Sequence, residues 1–302
     1  MIVALTGATG FVGGATLAEA LAQGHTVRAL TRREQPPREG VTWVRGDLAD
    51  APALRALCAG AEAMIHIAGV VNAPDAAGFE AGNVAGTAAV IAAMQAERVP
   101  RLVAVSSLAA RAPGLSDYGA SKARAEPLVR ASGLDWTIVR PPAVYGPRDT
   151  EMLELFRAAA RFGVVPMPAG GCASLIHVAD LARLLVALVP TRVASGRTFA
   201  PDDGRPGGWA HPALARAIGE AVGRPVRVIE VPGVVLRLAA RLDRAVRGSR
   251  AKLTPDRARY MAYPDWVVDA AQRPDPALWA ARVPTDQGLA ETAQWYRGEG
   301  LI

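Results

Sequence analysis

The sequence predicts an α/β fold in which a parallel β-sheet is covered by helices on both faces. Short β-branched apolar runs alternate with alanine-rich helical stretches through the first half of the 302-residue chain, and such alternation is typical of parallel sheets. Hydrophobic residues make up 51% of the chain and charged residues 21%, as expected of a globular protein with a large core. A glycine triplet directly after the first apolar run predicts a tight strand-to-helix turn.

Each element of the predicted sheet follows from a local pattern. Six apolar runs predict strands at residues 2–5, 26–30, 41–44, 63–67, 102–105 and 136–139. Four helical patterns lie between them, at residues 15–23, 51–58, 84–96 and 118–132. The sequence therefore predicts alternating strands and helices up to residue 139, with no helix between the second and third strands.

The regular alternation stops after residues 145–147. A Gly/Pro/Asp loop cluster, "PDDGRPGGW" at 201–209, precedes one more helix and a short strand near residues 226–229. We therefore predict a nucleotide-binding domain followed by a smaller substrate-binding region. The first comprises residues 1–147, with 174–200 returning to it, and the second comprises 148–173 and 201–302.

Composition and charge exclude several classes of protein. The net charge is +6 and the two cysteines, Cys58 and Cys172, have neither disulfide nor metal-ligand spacing. The arginines are scattered without interleaved aromatics, which argues against nucleic-acid binding. The start lacks the pattern of a signal peptide, and apolar runs such as residues 184–189 are too short to span a bilayer. We expect a cytoplasmic protein without metal that acts on a small molecule.

The glycine triplet has the spacing of a phosphate-binding turn. "TGATGFVGG" places Gly7, Gly10 and Gly13 between the first strand and the first helix. Glycines there allow a tight turn and let a pyrophosphate approach the backbone N–H groups of the helix N-terminus. With the strand–helix alternation, this turn predicts a Rossmann-type doubly wound sheet that binds a dinucleotide.

The end of the second strand predicts which dinucleotide is bound. A carboxylate at this position would bind the adenosine ribose 2′-hydroxyl, but the chain has Thr31 there, followed by Arg32 and Arg33. Guanidinium groups can bind a 2′-phosphate that a carboxylate would repel. We therefore expect NADP(H) as the preferred cofactor, with NAD(H) as the alternative. Asp47, after the third strand, is placed to meet the adenine.

A tyrosine and a lysine four residues apart indicate the chemistry. The chain has two lysines, Lys122 and Lys252, so about 0.03 Tyr-x-x-x-Lys matches are expected by chance. On a helix, Tyr118 and Lys122 share a face, and an ammonium beside the phenol is expected to lower the tyrosine pKa from about 10. Ser107 ends the preceding strand and can reach the same crevice. Together they predict a hydride-transfer site in which Tyr118 handles the proton.

The chain resembles the extended short-chain dehydrogenase/reductase superfamily, in its NAD(P)-dependent epimerase/dehydratase family. The matching motifs occur in the family's order: "TGATGFVG" (6–13), "GDLAD" (46–50), "HIAG" (66–69), "NVAGT" (83–87), "VSS" (105–107), "YGASK" (118–122), "RPPAVYGP" (140–147) and "IHVAD" (176–180). The resemblance implies a catalytic set of Ser107, Tyr118 and Lys122, with Lys122 contacting the nicotinamide ribose. Ser106 is the competitor for the serine role.

The resemblance also implies cofactor contacts within these motifs. Beside Lys122, the expected cofactor-binding residues are Gly7, Thr9, Gly10, Phe11, Val12, Gly13, Thr31, Arg32, Arg33, Asp47, Leu48, Ala68, Gly69, Pro141 and Val144. His66 and His177 are interpreted as structural rather than as acid–base groups, and Asn83 as a residue that orders the backbone near the site.

The substrate class depends on two further segments. Sugar-nucleotide members of the family carry an Arg-Asp pair before the "IHV" strand, where this chain has Ala173 and Ser174. In residues 233–250, apolar side chains occupy one face of a helical wheel and arginines the opposite face. One interpretation is a packed helix whose basic side faces solvent. The other is a basic amphipathic helix at an anionic membrane surface or near a lipid-like substrate.

The sequence thus predicts an NADP(H)-dependent oxidoreductase that moves a hydride between nicotinamide and a ketone or secondary alcohol, hydrophobic or lipid-like. A nucleotide-sugar epimerase or dehydratase is the alternative enzyme, and a non-catalytic NAD(P)-binding regulatory or assembly protein is the alternative outside enzymes. The intact Ser107, Tyr118 and Lys122 favour an enzyme. Monomer and homodimer both stay open, as does peripheral membrane contact through 233–250.

Overall fold

The computed structural model describes residues 1–248 and 253–302. Their backbone contacts divide the chain into two compact units. The first unit contains Met1–Pro141, Ala179–Ala200 and Pro274–Trp279, and the second contains Pro142–Val178, Pro201–Arg273 and Ala280–Ile302. Each unit has its own sheet structure and is therefore described by itself.

The strands and helices follow the chain in this order. The strands are β1 Ile2–Thr6, β2 Thr26–Thr31, β3 Val41–Arg45, β4 Ala63–His66, β5 Arg101–Val105, β6 Asp135–Val139, β7 Ala143–Tyr145, β8 Val164–Pro168, β9 Cys172–Ala173, β10 Leu175–His177, β11 Arg197–Phe199, β12 Trp209–Ala210, β13 Arg227–Val231 and β14 Asp265–Trp266. The α-helices are α1 Phe11–Ala22, α2 Ala51–Cys58, α3 Ala76–Phe79, α4 Gly86–Ala96, α5 Asp117–Arg130, α6 Leu153–Phe162, α7 Val178–Ala187, α8 His211–Ala221, α9 Gly233–Arg247, α10 Pro255–Met261 and α11 Thr285–Gly298. A π-helical segment, Glu80–Ala85, leads directly into α4.

The first unit is built on a seven-stranded parallel sheet. Its strand order is β11-β6-β5-β4-β1-β2-β3. From β1, the sheet continues with β2 and β3 on one side and with β4, β5, β6 and β11 on the other. Ligands of such sheets bind at the carboxyl ends of the strands where the order reverses, which here is between β1 and β4. The predicted Rossmann-type doubly wound fold is therefore confirmed.

The six predicted strands are present, each within a residue or two of its predicted ends. Near-continuous apolar runs explain this accuracy for the inner strands, because both of their faces are buried against helices. One cluster between sheet and helices contains Leu54, Leu57, Met64, Met94 and Leu102, all fully buried. Such a core leaves the strands little freedom in register or length.

The first helix starts earlier than its predicted range, at Phe11 rather than at residue 15. Glycines normally weaken a helix interior, so the pattern alone places the start after Gly13. In the structure a Cβ on Gly13 would collide with the carbonyl oxygen of Gly7. The glycine is thus needed for close packing of the helix on the turn, and the helix forms around it.

The second unit has three small sheets around its own core. β7 pairs with β10 and β8 with β13, both in parallel, while β9 lies between β12 and β14. The core is centred on Tyr145, Phe156, Ile218, Leu289 and Tyr296, which are fully buried. Within the described residues, no helix has both the length and the apolar character needed to cross a bilayer.

Candidate active site

The glycine turn leaves the N-terminus of α1 open to a ligand. Gly7 has a φ of +79°, and a Cβ there would lie 2.9 Å from the Ala68 nitrogen, so a side chain would be strained and crowded. Gly10 caps α1 without any side-chain hydrogen bond, and the first turn contains no acidic residue. Thr9 and Gly10 are exposed. The backbone N–H groups of this turn thus fit a pyrophosphate, the anionic group of a dinucleotide.

A hydrogen-bond chain joins the carboxyl ends of β1 and β4. Thr6 Oγ1 accepts from the backbone nitrogens of Ile67 and Ala68, both at 3.1 Å, and lies 2.8 Å from His66 Nδ1. His66 Nε2 lies 3.2 Å from Thr87 Oγ1. Burial, with a smaller effect of Lys122, lowers the pKa of His66 to about 3. The imidazole therefore stays neutral at working pH and holds two strand ends together.

Asn83, in the π-helical segment, connects this edge to α5. Its side chain accepts from the Val70 nitrogen at 2.8 Å and donates to the Val70 oxygen and to Ser121 Oγ, both at 2.9 Å. Ser121 Oγ in turn donates to the carbonyl oxygen of Tyr118 at 2.8 Å. Ser121 was missed by the sequence reasoning, although it directly precedes Lys122 in the "YGASK" motif.

The structure brings Ser107 to Tyr118. Ser107 is the second residue after β5. It accepts a hydrogen bond from the Ala109 nitrogen at 3.2 Å and is hydrogen-bonded to the Tyr118 side chain. Ser106 Oγ instead donates to Glu126 Oε1 at 2.7 Å. Of the two serines, Ser107 therefore has its hydroxyl beside the phenol, while Ser106 serves a buried carboxylate.

Lys122 lies buried one turn after Tyr118 on α5. Its Nζ donates to the Val105 oxygen at 3.1 Å, and its side chain is 8% exposed. A Cβ on Gly69 would lie 3.0 Å from Lys122 Nζ and 2.7 Å from Asn83 Oδ1, so this glycine gives the ammonium access to the strand end. Burial lowers the pKa of Lys122 to about 8, and Glu126 opposes this change.

The expected direction of the Tyr118 pKa was wrong for the protein without cofactor. Burial raises the pKa of the phenol, and the hydrogen bond with Ser107 opposes that rise. Burial dominates because transfer of a phenolate out of water costs more than one hydrogen bond returns. Tyr118 is therefore protonated at neutral pH, which is the state of a proton donor.

A buried carboxylate that the sequence reasoning missed fixes α5 in place. Glu126 is 3% exposed, and its pKa lies below the usual value because hydrogen bonds from Arg140, Ser106 and Arg130 outweigh burial. Arg140 binds both carboxylate oxygens, at 2.7 and 2.6 Å. The available signal was the spacing, since Tyr118, Lys122 and Glu126 follow at intervals of four. This network holds α5 against the strand ends.

The remaining predicted cofactor residues have the following positions. Thr31 Oγ1 donates to the Arg33 oxygen at 2.7 Å, which forms a tight turn after β2. Arg32 and Arg33 are exposed, and within the described residues neither side chain forms an ion pair. Asp47 is exposed and accepts from the Ala49 nitrogen at 2.8 Å. Phe11, Val12 and Leu48 are half-buried, Pro141 accepts from the Leu108 nitrogen, and Val144 lies in β7 of the second unit.

The positions of the missing Arg-Asp pair are occupied by Ala173 and by a structural serine, Ser174. Ser174 is fully buried in the second unit, donates to Asp202 Oδ2 at 2.8 Å and accepts from the Val268 nitrogen at 3.1 Å. Arg273 binds the same Asp202. Ser174 therefore supports the packing of this unit, and Ala173, at the position of the missing arginine, offers no cation to a phosphate.

Comparison with known proteins agrees with this geometry. A family profile described as NAD(P)H-binding matches residues 7–191. A ceramide reductase of Caulobacter vibrioides is 39% identical, over 100% of this chain and 96% of the relative. A 2-alkyl-3-oxoalkanoate reductase of Stenotrophomonas maltophilia is 32% identical (68% of this chain, 72% of the relative). A 4-hydroxy-2-methyl-3-oxo-4-farnesyl-3,4-dihydroquinoline-1-oxide ketoreductase of Stigmatella aurantiaca is 31% identical (67% and 68%).

Solved structures share the fold at lower identity. MoeE5 in complex with UDP-glucose and NAD has a TM-score of 0.73 at 21% identity, with 99% of each chain covered. UDP-glucose 4-epimerase of Thermotoga maritima has a TM-score of 0.74 at 18% identity, also with 99% of each chain covered. Profile, relatives and fold agree with the motif order in the sequence. The chain is an NAD(P)-dependent oxidoreductase that belongs to the NAD(P)H-binding family within the extended short-chain dehydrogenase/reductase superfamily.

Proposed function

We propose that this protein reduces a ketone carried on a long hydrocarbon chain, with NADPH as the cofactor and a ceramide-like lipid as the favoured substrate class. The observation that carries the chemistry is the contact of Ser107 with a protonated Tyr118 in front of the buried Lys122. The substrate class is supported by the relatives, whose names combine a reductase activity with a ceramide, a farnesyl group or an alkyl chain.

The proposed roles follow from the protonation states. Bound NADPH would supply the hydride to the carbonyl carbon. Ser107 would hold the carbonyl oxygen by a hydrogen bond, and Tyr118 would donate its phenolic proton to that oxygen, which leaves a secondary alcohol. The raised pKa of Tyr118 suits an acid rather than a base. Lys122 would stabilise the phenolate formed after the transfer and bind the nicotinamide ribose.

The cofactor preference is proposed from the end of β2. Arg32 and Arg33 are exposed beside the Thr31 turn, where a guanidinium can bind a 2′-phosphate and where no carboxylate occupies the strand end. Arg32→Ala should therefore remove most of the preference for NADPH over NADH, a loss of roughly ten- to a hundredfold in relative affinity. Titration of each cofactor measures it, and Arg38→Ala is the matched control. Equal affinities in the wild type would exclude this role of Arg32.

The proposed substrate-binding part lies within residues 148–173 and 201–302, and the exposed face of α9 is not included in it. The structural role of Ser174 supports a substrate without a diphosphate, since its side chain is used within the second unit. The test compares ketones that differ only in chain length. With NADPH, kcat/KM should rise from a short 3-oxo acid to its long-chain homologue and to a ceramide oxidised to the ketone.

Calorimetry with UDP and UDP-hexoses tests the alternative enzyme. We expect no saturable binding of either ligand. Clear saturable binding would reject the lipid-like substrate and favour a nucleotide-sugar epimerase or dehydratase. Absence of turnover on every ketone, together with intact cellular function of Tyr118→Phe, would favour the non-catalytic alternative.

A further inference from the structure

We propose that the outward face of α9 docks this protein on an anionic membrane surface. The evidence for docking is the structure of α9 alone. The consequence that it brings a membrane-embedded ketone to the enzyme rests on the proposed function. An interfacial helix lies in the plane of the headgroups with its apolar face inserted and basic residues at the border.

The apolar stripe of α9 faces outward. Five large apolar side chains of this helix are exposed, between 50% and 83%: Val234, Val235, Leu238, Leu242 and Val246. They make up five of the eleven exposed large apolar residues in the described part of the chain, so they form a patch rather than scattered single residues. The interpretation of this stripe as the packed side of the helix is wrong.

A different and narrower side of α9 packs on the protein. Ala240 is fully buried, and Leu236 and Asp243 are partly buried. These positions are separated by three or four residues and therefore share one face, which is the side turned toward α10. The helix is anchored by this inward face, so the outward apolar face is not needed to hold it in place.

The charges on α9 match an anionic surface. Arg237 and Arg241 are exposed. Because the exposed stripe includes Val234, they lie at one border of it on a helical wheel rather than on the opposite face. Within the described residues, neither forms an ion pair with a carboxylate. Asp243 is the one acidic residue of the helix; it accepts from the Leu253 nitrogen at 2.9 Å and pairs with Arg247 at 3.3 Å. Residues 249 and 250 of the predicted 233–250 segment lie outside the described residues.

An anionic bilayer fits this face better than a second copy of the chain. Stable dimers bury about 800 Å² per partner, which is more than one face of a single helix provides. Two copies would also bring their unneutralised arginines to one small interface, where like charges repel. Anionic headgroups neutralise the same arginines, and the acyl region accepts the five apolar side chains.

Vesicle flotation of the full chain tests the proposal. Wild-type protein should bind vesicles of phosphatidylcholine with phosphatidylglycerol, bind vesicles of phosphatidylcholine alone more weakly, and lose affinity at high salt. Leu238→Ser/Leu242→Ser should reduce binding at least roughly tenfold, and Arg237→Gln/Arg241→Gln roughly ten- to thirtyfold. Thermal melts should match the wild type, because these side chains are exposed.

Matched controls change equivalent exposed residues outside α9. Phe162→Ser/Val193→Ser and Arg192→Gln/Arg216→Gln should bind vesicles as the wild type does. Absence of wild-type binding, or equal loss in the controls, would overturn the docking surface. A concentration-dependent dimer in sedimentation analysis that Leu238→Ser/Leu242→Ser abolishes would also overturn it, in favour of self-association.

Activity separates this proposal from the proposed function. The Leu238→Ser/Leu242→Ser variant should keep full turnover of a short, water-soluble ketone while turnover of a long-chain ketone in anionic vesicles falls. Vesicle binding without turnover of any ketone would retain the docking surface and reject the reductase. Turnover of the embedded ketone that is unchanged in the variant would reject the role of α9 in substrate access.

Discussion

Helices α5 and α9 distribute their residues in opposite ways, and both differ from an ordinary surface helix. On α5, the charged Lys122 and Glu126 are buried at 8% and 3% exposure. On α9, Leu238 and Leu242 are exposed at 57% and 59%. Buried charge and clustered exposed apolar surface are the two departures from normal burial that carry functional information. Under the two proposals above, α5 serves the chemistry inside its unit and α9 serves contact with a membrane.

The two helices also differ in how their unfavourable groups are compensated. Glu126 accepts hydrogen bonds from three side chains, and Lys122 donates one to the Val105 oxygen. The buried charges of α5 are therefore compensated within the fold. Among the described residues, no part of the protein covers the exposed apolar stripe of α9 in a comparable way. Under the docking proposal, the membrane that covers this stripe supplies the compensation. Variants on α5 should therefore affect catalysis or folding, whereas variants on the stripe should affect binding.

The largest expected effect tests whether α5 carries the chemistry. Tyr118→Phe should lower turnover of a ketone by roughly 10²–10⁴-fold, because the phenolic proton donor is lost. Affinity for NADPH and the melting temperature should stay close to the wild type. Tyr263→Phe, which removes a phenol hydroxyl in the second unit, is the matched control and should keep full turnover. A Tyr118→Phe variant with wild-type kcat would contradict the comparison, since α5 would then be a structural helix only.

The next largest effect comes from the pair Ser106 and Ser107, which separates a catalytic role from a stabilising one. Ser107→Ala should lower turnover by roughly 10²–10³-fold, as removal of a donor to a developing oxyanion does. Its loss of stability should be smaller than that of Ser106→Ala, because the lost bond to the Ala109 nitrogen involves no charge. Ser106→Ala removes a hydrogen bond to the buried Glu126 and should cost about 1.5–3 kcal/mol of unfolding free energy with turnover retained. Steady-state kinetics and denaturant unfolding measure the two effects. The reverse pattern would assign the catalytic role to Ser106.

The sequence predicts the strands and the catalytic spacing more completely than it predicts the surroundings of Glu126 and α9, and the reasons are physical. The inner strands, buried on both faces, are almost entirely apolar, so their runs locate them directly. β3 lies at the sheet edge and is only half-buried, and there the β-branched and aromatic residues locate the strand. Tyr118 and Lys122 likewise lie one turn apart on α5, as their spacing predicts. The role of Glu126 does not follow from the sequence, because a helical carboxylate is usually solvated and its partners, Arg140 among them, come from other elements. Periodicity shows the stripe on α9, but a helical wheel does not show which side of the helix faces the protein.

The smallest expected effect concerns the cost of the buried charge on α5. Burial lowers the pKa of Lys122 from 10.5 to about 8 in the folded chain. Between these values the unfolded chain binds more protons than the folded chain, so stability rises with pH through this window, and below pH 8 the full cost is present. Lys122→Met removes that cost, and without cofactor it should stabilise the protein by roughly 1–3 kcal/mol at pH 7.

The pH dependence distinguishes this effect from better packing. The difference between Lys122→Met and the wild type should shrink as the pH rises from 8 toward 10.5, because the wild-type lysine then becomes neutral in both states. Arg124 lies on α5 like Lys122, but it is exposed and pairs with Glu80 of the π-helical segment. Arg124→Met should change stability by less than about 1 kcal/mol and without pH dependence in this range. Denaturant unfolding across the window measures both variants. A stabilisation by Lys122→Met that is constant with pH would show that α5 gains from added apolar volume, and the contrast with α9 would then rest on the apolar stripe alone.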